Sequence, residues 1–287
     1  MFLPLRRKVD RDGMKIIIFT DLDGSLLNHD DYSFEGARPS LDRLREARIP
    51  LIFVTSKTRS EVERLQDAMR IREPFIVENG GGIFFPGNYR GFSFSGECLK
   101  DGDFVVLALG VPYDRIRGVF VTMKSRFKIT GYGDLSPEEV AWLTGLSTAE
   151  ARRAKVREFS EPFLLESVED LPALEGLVKQ KGMKIVRGGR FYHLIGAGQD
   201  KGAAVRGVRD IYRRNDGGGH IAIGIGDSEN DLPLLQTVDI PVLIPHAERG
   251  FLDVSLPGLV KARESGCRGW NEAMRRILDE LFQTDRI

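Results

Sequence analysis

The sequence has little of what marks secreted or membrane-embedded proteins. It contains two cysteines in 287 residues, Cys98 and Cys267, which lie far apart and lack the spacing of metal ligands. We therefore expect no disulfide framework and a reducing, cytoplasmic location. No apolar run approaches the ~18 to 20 residues needed to span a bilayer. Residues 1–13 also lack the apolar centre of a signal peptide, and we interpret them as a polar N-terminal extension.

Neither sign of charge is in excess. The chain carries 42 Lys and Arg against 42 Asp and Glu, so its formal net charge is zero. A balanced chain gives no argument for nucleic acid or an anionic membrane as a partner, and we expect neither. With 41% hydrophobic residues, the chain has enough apolar side chains for a sizeable core, and its length suggests about two domains. The patterns leave the oligomeric state open.

Predicted strands and helices alternate in the first part of the chain. Ile16–Phe19, Pro50–Val54 and Pro74–Val77 are short apolar runs typical of buried strands. Ser40–Arg48 and Ser60–Met69, which lie between them, have apolar residues at helical spacing. Strand, helix, strand, helix, strand in this order predicts an α/β fold with a doubly wound, Rossmann-like parallel sheet.

The alternation stops after this part and returns near Asp200. In between, Ser136 and Ser147 have the spacing of helix N-caps, and Gly188-Gly189 separates two runs of a predicted hairpin. Later, His220–Ile225 predicts another buried strand. We therefore predict an α+β domain inserted into the first domain. The predicted boundaries are 1–13 for the extension, 14–83 and 191–287 for the core, and 84–190 for the insertion.

Two acids close the first predicted strand. Asp21 and Asp23 follow the apolar run directly, and Gly24 allows the backbone to turn sharply after them. Two carboxylates this close repel each other, so we expect a positive group nearby. Mg²⁺, which binds one or two carboxylates together with phosphate oxygens, is the cation that fits best. Taken alone, the stretch is equally well explained as an Asp-rich turn.

Further polar residues follow other predicted strands or begin helices at the same sheet edge. The whole set comprises Asp21, Asp23, Thr55, Ser56, Lys201, Asp227 and Asp231. One at a time, these residues are also explained by turns and helix starts. Together they match phosphoryl transfer through an aspartyl phosphate. That chemistry needs a carboxylate nucleophile, an acid that doubles as base, and hydroxyl, N–H and lysine donors for the phosphoryl oxygens.

In their order and spacing these residues resemble the haloacid dehalogenase superfamily of phosphohydrolases. The run from Gly226 to Asp231 reproduces that family's GDxxND pattern in full. The resemblance implies that Asp21 is the nucleophile and Asp23 the general acid and base. Family members that dehalogenate lack this second acid, whereas phosphatases and phosphomutases keep it. It further implies that Thr55 and Lys201 bind the phosphoryl group. Mg²⁺ would be held by Asp21 and Asp227, by the main-chain carbonyl of Asp23, and indirectly by Asp231.

The insertion resembles the C2B type of cap in that superfamily. Such a cap closes over the site, excludes water and contacts the non-reacting part of the substrate. Four stretches, at residues 54–58, 78–83, 160–163 and 189–194, are similar to phosphatases of this subtype that act on 2-O-mannosyl-3-phosphoglycerate. The resemblance implies Mg²⁺-dependent hydrolysis of this phosphorylated sugar-glycerate to mannosylglycerate, a compatible solute.

Candidate substrate contacts follow from the groups such a molecule carries. Basic side chains suit its carboxylate and phosphate, glycine-rich backbone allows close approach, and other polar side chains suit the sugar. The candidates are Ser56, Lys57, Arg59, Asn79, Gly80, Glu166, Arg187, Arg190, His193 and Gln199. Lys57 is alternatively a solvated residue at a helix start, and His193 is alternatively a core histidine in an aromatic strand.

Three other functions are compatible with parts of the pattern. A phosphomannomutase-like isomerase uses the same two acids but must retain the phosphate on Asp21. A phosphatase of the same type could act on glucosyl-3-phosphoglycerate or sucrose phosphate. A binding or regulatory protein that kept the fold is the third alternative. The simplest mark of such a protein would be a lost nucleophile, whereas Asp21, Asp23, Lys201 and Asp227 are all present.

Overall fold

The computed structural model describes residues 15–96 and 98–282. The predicted extension at residues 1–13 lies outside them. The chain divides into two compact units, with the divisions after Val54 and after Ala204. The first unit contains the described residues before and after these points, and the second contains residues 55–204 apart from residue 97. The predicted domain boundaries at residues 83 and 191 stay a prediction.

The regular elements follow one another along the chain as short strands and helices of moderate length. The strands are β1 (Lys15–Thr20), β2 (Leu51–Val54), β3 (Phe75–Val77), β4 (Gly82–Pro86), β5 (Leu99–Asp101), β6 (Phe104–Ala108), β7 (Ile129–Gly131), β8 (Glu161–Leu165), β9 (Met183–Arg187), β10 (Tyr192–Gly196), β11 (His220–Gly226), β12 (Ile240–Leu243) and β13 (Val260–Lys261). The helices are α1 (Arg38–Glu46), α2 (Arg59–Met69), α3 (Tyr113–Met123), α4 (Pro137–Thr144), α5 (Thr148–Ala154), α6 (Leu171–Gln180), α7 (Lys201–Asp216), α8 (Leu232–Leu235) and α9 (Gly266–Phe282).

The first unit is built on a parallel sheet with the strand order β13-β12-β11-β1-β2. Ile17, Ile18 and Phe19 of β1 are fully buried, and both neighbours of this central strand pair with it in parallel. The chain passes from β1 to β2 on one side, whereas β11 pairs on the other side. The carboxyl end of β1 is therefore a topological switch point, where open α/β sheets bind ligands.

Antiparallel pairing organises the second unit. One set of strands runs in the order β3-β4-β6-β5, and a separate four-stranded sheet has the order β7-β8-β10-β9. Helices α3 and α6 cover the four-stranded sheet with apolar side chains, so that Phe120, Phe163 and Leu174 share one buried cluster. Such a helix-covered antiparallel sheet is an α+β arrangement.

The structure confirms the predicted fold class, a parallel α/β sheet with an α+β part inserted in the chain. The N-caps predicted at Ser136 and Ser147 are present, each with a capping box, and β9 and β10 pair as the predicted hairpin. The last helix begins at Gly266, although Gly266 and Gly269 weaken the helical signal of the sequence at its start. Across residues 15–96 and 98–282, no helix combines the length and apolarity needed to cross a membrane.

Candidate active site

The first group of predicted site residues lies at the carboxyl edge of the parallel sheet. Asp21 follows β1 and is 6% exposed, and its N–H donates to the carbonyl of Ile225 at 2.8 Å. This bond extends the β1–β11 ladder by one residue beyond the pair Thr20–Ile225. Because Asp227 comes two residues after Ile225, the register brings these two acids to the same edge of the sheet, although 206 positions separate them in the chain.

Asp21, Asp227 and Asp231 form an acidic cluster. Each offers a carboxylate oxygen, and these oxygens lie within 4.8 Å of one another. Asp231 is fully buried, and its Oδ2 accepts from the N–H groups of Asp227 and Ser228 and from the Ser228 hydroxyl, each at 3.1 Å. These bonds fix the carboxylate and tie it to the main chain beside Asp227. We call these three acids the acidic edge.

The acidic edge has the chemistry of a site for a hard divalent cation. Its donors are all oxygen atoms, the ligands that Mg²⁺ prefers. Mg²⁺ binds oxygen at about 2.1 Å, so opposite ligands of its shell lie about 4.2 Å apart. Oxygens of three carboxylates held within 4.8 Å match this scale. The residues therefore fit the predicted ion, and the contribution of the Asp23 carbonyl stays a prediction.

A tight loop after β1 packs against Asp227. Gly24 has a φ of +80°, and a Cβ at this position would lie 2.6 Å from Oδ2 of Asp227, so a side chain would displace that carboxylate. The buried hydroxyl of Ser25 lies 3.5 Å from the other Asp227 oxygen. Asp23, between Asp21 and Gly24, is half-buried in the same loop. Glycine is required here both for the left-handed backbone and for the space.

The main chain of Asp21 is also held by hydrogen bonds that involve the last helix. The indole N–H of Trp270, on α9, donates to the hydroxyl of Thr20 at 3.0 Å, and that hydroxyl donates to the main-chain carbonyl of Asp21 at 2.7 Å. Trp270 and Thr20 are both fully buried. The last helix therefore holds the backbone that carries Asp21, a connection of 250 positions.

The second group of predicted site residues lies in loops of the second unit. The N–H of Lys57 donates to Oγ1 of Thr55 at 3.1 Å, and the carbonyl of Thr55 accepts from the N–H of Asn79 at 2.9 Å. A Cβ on Gly80 would lie 2.2 Å from the carbonyl of Asp200, so the start of α7 packs directly on this glycine. We call residues 55–58, 78–82 and 199–201 the loop cluster. It brings together Thr55, Ser56, Lys57, Asn79, Gly80, Gln199 and Lys201.

Glu78 holds the loop cluster to the segment before β8. Its side chain is fully buried and accepts from the N–H groups of Glu158 and Phe159, at 2.8 and 3.0 Å, and from the Ser160 hydroxyl at 2.6 Å. Burial raises the pKa of this carboxyl, and Arg157 opposes the rise. Glu78, Asn79 and Gly80 all have positive φ. Two of these are not glycine, so the loop needs such bonds to keep its shape.

Other predicted residues in the second unit make mainly internal contacts. Gln199 donates from Nε2 to the carbonyls of Glu78 and Phe159, at 2.6 and 3.2 Å. Lys57 lies 3.8 Å from Glu61, and both side chains are 11% exposed. Glu161, from a stretch that carried the resemblance, accepts from the Tyr113 hydroxyl at 2.5 Å. The proposed substrate contacts of Gln199 and Lys57 stay predictions.

His193 is buried in β10, and its Nδ1 has no hydrogen-bond partner among the described residues. Burial, with the charges of Arg157 and Lys201, lowers the pKa of its imidazole to about 3. The ring is therefore neutral at physiological pH. This burial agrees with the interpretation of His193 as a core histidine, and its contact with the sugar stays a prediction.

Three predicted contacts lie at the surface. Glu166 is 68% exposed and pairs at 3.5 Å with Lys128, which is itself 81% exposed. Arg187 is exposed at the end of β9, and Arg190 is exposed and donates to the carbonyl of Leu143. Long exposed side chains of this kind are ordinary solvated groups. Their roles in substrate binding stay predictions.

Sequence patterns did not identify three residues that hold the acidic edge and the loop cluster in place. Arg157 donates to the carbonyl of Ser56 at 2.8 Å, Glu78 organises the loop beside Asn79, and Trp270 supports Asp21 through Thr20. The glycine run after Glu78 is the only local signal that marks a special loop. Arg157 and Trp270 carry no such signal, because their partners are distant in the chain.

Comparisons with known proteins agree with this geometry. Residues 18–90 match the haloacid dehalogenase-like hydrolase family. The chain is 49% identical to a glucosyl-3-phosphoglycerate/mannosyl-3-phosphoglycerate phosphatase of Persephonella marina, over 93% of this chain and 98% of that protein. The chain belongs to the haloacid dehalogenase-like hydrolases. Within these hydrolases it is a phosphoric monoester hydrolase.

Two further comparisons add a second relative and a solved structure with the same fold. A Methanococcoides burtonii protein with the same name as the first relative is 46% identical, over 96% of this chain and 100% of that protein. A solved phosphatase of this superfamily from Bacteroides thetaiotaomicron superposes with a TM-score of 0.64 at 16% identity. The superposition covers 97% of this chain and 98% of the solved chain. This second likeness shows the shared fold.

Proposed function

We propose that this hydrolase removes the phosphate from 2-O-mannosyl-3-phosphoglycerate, giving mannosylglycerate and inorganic phosphate with Mg²⁺ as cofactor. The observation that carries the proposal is the 49% identity, over nearly the whole chain, to a phosphatase named for this substrate and its glucosyl counterpart. The acidic cluster of Asp21, Asp227 and Asp231 supports the chemistry.

In the first step we assign the nucleophile to Asp21. A carboxylate oxygen forms a bond to phosphorus while the bond from phosphorus to the glycerate oxygen breaks. The carboxylic acid of Asp23 gives its proton to that leaving oxygen. The products of this step are mannosylglycerate and an aspartyl phosphate. The fixed main chain of Asp21, bonded to Ile225 and to Thr20, supports this assignment because a nucleophile needs a defined position.

In the second step Asp23 acts as the base. Its carboxylate takes a proton from water, the water oxygen attacks phosphorus, and the acyl phosphate bond breaks to release phosphate and the Asp21 carboxylate. We assign the binding of the phosphoryl oxygens to Thr55 and Lys201, whose hydroxyl and ammonium groups are suitable donors. When bound, Mg²⁺ supplies positive charge that reduces repulsion between an anionic nucleophile and an anionic ester. Asp21, Asp227 and Asp231 would hold it.

We assign the choice of sugar to the inserted residues 84–190, acting as a cap. Glucosyl-3-phosphoglycerate is a second candidate substrate, favoured because two relatives are named for both sugars. The two molecules share the glycerate, the carboxylate and the phosphate. Residues that bind those common groups would serve both substrates equally.

The test is phosphate release with Mg²⁺ from the mannosyl and glucosyl compounds, beside sucrose phosphate and mannose phosphate. We expect strong preference for the mannosyl compound, or for it together with the glucosyl one. Equal, modest rates on all four would contradict the substrate and leave the phosphatase activity. A stable phosphoenzyme that returns phosphate to a sugar would favour the isomerase instead.

A further inference from the structure

Arg157 is a buried arginine whose hydrogen bonds reach main-chain carbonyls. Its side chain is 5% exposed. Nη1 donates to the carbonyl of Ser56 at 2.8 Å, and Nε donates to the carbonyl of Ala154 at 2.7 Å. Among the ion pairs of the described residues, its carboxylate partner is Glu61 at 4.0 Å. Burying a guanidinium costs free energy. Because Arg157 donates mainly to main-chain carbonyls, its side chain is suited to holding the backbone in one position.

The bond to Ser56 fixes one peptide plane from one side. The same peptide, between Ser56 and Lys57, is held on its opposite side by Thr55, because the Lys57 N–H donates to Oγ1 of Thr55 at 3.1 Å. A trans peptide is planar, with its carbonyl and N–H pointing in opposite directions. Arg157 therefore controls the orientation of the N–H that meets the Thr55 hydroxyl.

This arrangement decides what the Thr55 hydroxyl is able to do. Its oxygen accepts the Lys57 N–H, so its own hydrogen points away from that donor and is available to donate. Thr55 is also fully buried and bonded through its N–H to the carbonyl of Ile76 at 3.0 Å. A rotation of the 56–57 peptide would break the bond from the Lys57 N–H to the Thr55 hydroxyl, and the Thr55 side chain could then rotate.

We propose that Arg157 is a positioning residue for phosphoryl transfer, acting through the Ser56–Lys57 peptide to orient the hydroxyl of Thr55 as a donor to the phosphoryl group. This inference rests on the proposed role of Thr55. Two more bonds join the same loops, since the Thr58 hydroxyl donates to the carbonyl of Arg153 at 3.0 Å and Ser160 donates to Glu78. These bonds join the end of α5 and the segment after it to the loop cluster, on either side of Arg157 in the chain.

The test is a double-mutant cycle between Arg157→Gln and Thr55→Ala, with p-nitrophenyl phosphate as substrate so that the identity of the sugar does not matter. If Arg157 acts through Thr55, Arg157→Gln lowers kcat by about tenfold or more in the wild-type background and changes KM little. In the Thr55→Ala background the same change lowers kcat by less than about twofold, because neighbouring positions that act as one unit are not additive. Equal losses in both backgrounds would overturn the proposal.

Two further variants keep the result interpretable. Arg157→Lys retains the charge in the buried position, and it is carried through the same cycle under the same criterion if Arg157→Gln does not fold. Arg152→Gln is the matched control, since Arg152 is 67% exposed and pairs with Glu138 at 3.5 Å; its kcat stays at the wild-type value. Unchanged activity of Thr55→Ala alone would overturn the assigned role of Thr55 in the mechanism, and the positional role with it. A slow Thr55→Ala beside a normal Arg157→Gln would overturn the positional role only.

Discussion

At the acidic edge, Asp21 and Asp227 lie together because β1 and β11 pair in register, whereas in the loop cluster buried side chains set the geometry. The parallel ladder fixes the acids with ordinary main-chain bonds, such as the one from Asp21 to Ile225. The loop cluster depends instead on Glu78, whose carboxylate accepts three hydrogen bonds across about 80 positions. The first arrangement rests mainly on main-chain bonds between paired strands, and the second on a few buried side chains.

The largest expected effect breaks the acidic edge itself. We expect Asp21→Asn to lower phosphate release by at least about a thousandfold, because an amide cannot act as the nucleophile. The fold should remain, since the main-chain bonds of Asp21 are unchanged. Asp42→Asn is the control, because the Asp42 side chain is 47% exposed and its ion pair is with Arg45 on the same helix. Normal turnover by Asp21→Asn would remove the nucleophile assignment.

A second prediction concerns the cation. Chelation of divalent ions should stop phosphate release, and added Mg²⁺ should restore it. Asp227→Asn should raise the Mg²⁺ concentration needed for half-maximal activity by about tenfold or more, because one anionic ligand is lost. Asp210→Asn, on the surface of α7, should leave it unchanged. Full activity in excess chelator would contradict the metal role of the acidic edge.

Two glycines with the same backbone conformation sharpen the comparison further. Gly24→Ala and Gly145→Ala both put a side chain at a φ near +80°, so both carry the same backbone strain. Only the alanine at position 24 would press on Asp227, since nothing lies within 4 Å of a Cβ at position 145. We expect activity to fall about tenfold or more for Gly24→Ala. Similar activity of the two variants, measured as kcat/KM at saturating Mg²⁺, would argue against the tight packing.

The smallest effect tests the second unit through His193 and concerns stability. Its pKa is about 3 in the folded chain, and an exposed histidine has a pKa near 6.5, so the unfolded chain binds the proton first as the pH falls. Stability from the neutral ring is therefore fully present above about pH 6.5 and is lost as the pH falls towards 3. Between pH 7 and 5 the wild type should lose about 2 kcal/mol more than His193→Gln. Urea unfolding at both pH values measures this difference, and parallel losses would contradict it.

Local patterns in the sequence were enough to predict the alternation of strands and helices, the helix N-caps at Ser136 and Ser147, and the acids after β1 and β11. Strand ends, caps and glycine turns are short-range features, since each depends on a few neighbouring residues. The order of the motifs also indicated the haloacid dehalogenase superfamily, which the comparisons confirm.

Tertiary structure alone decided how these residues are held. Three contacts join positions about 80 to 250 apart in the chain. Trp270 supports Asp21 through Thr20, Glu78 accepts hydrogen bonds from residues 158–160, and Arg157 donates to Ser56. No pattern of period two or 3.6 encodes such contacts, because they depend on which surfaces pack after the chain has folded. The reactive residues are therefore recognisable from local sequence patterns, whereas their geometry depends on buried partners that are distant in the chain.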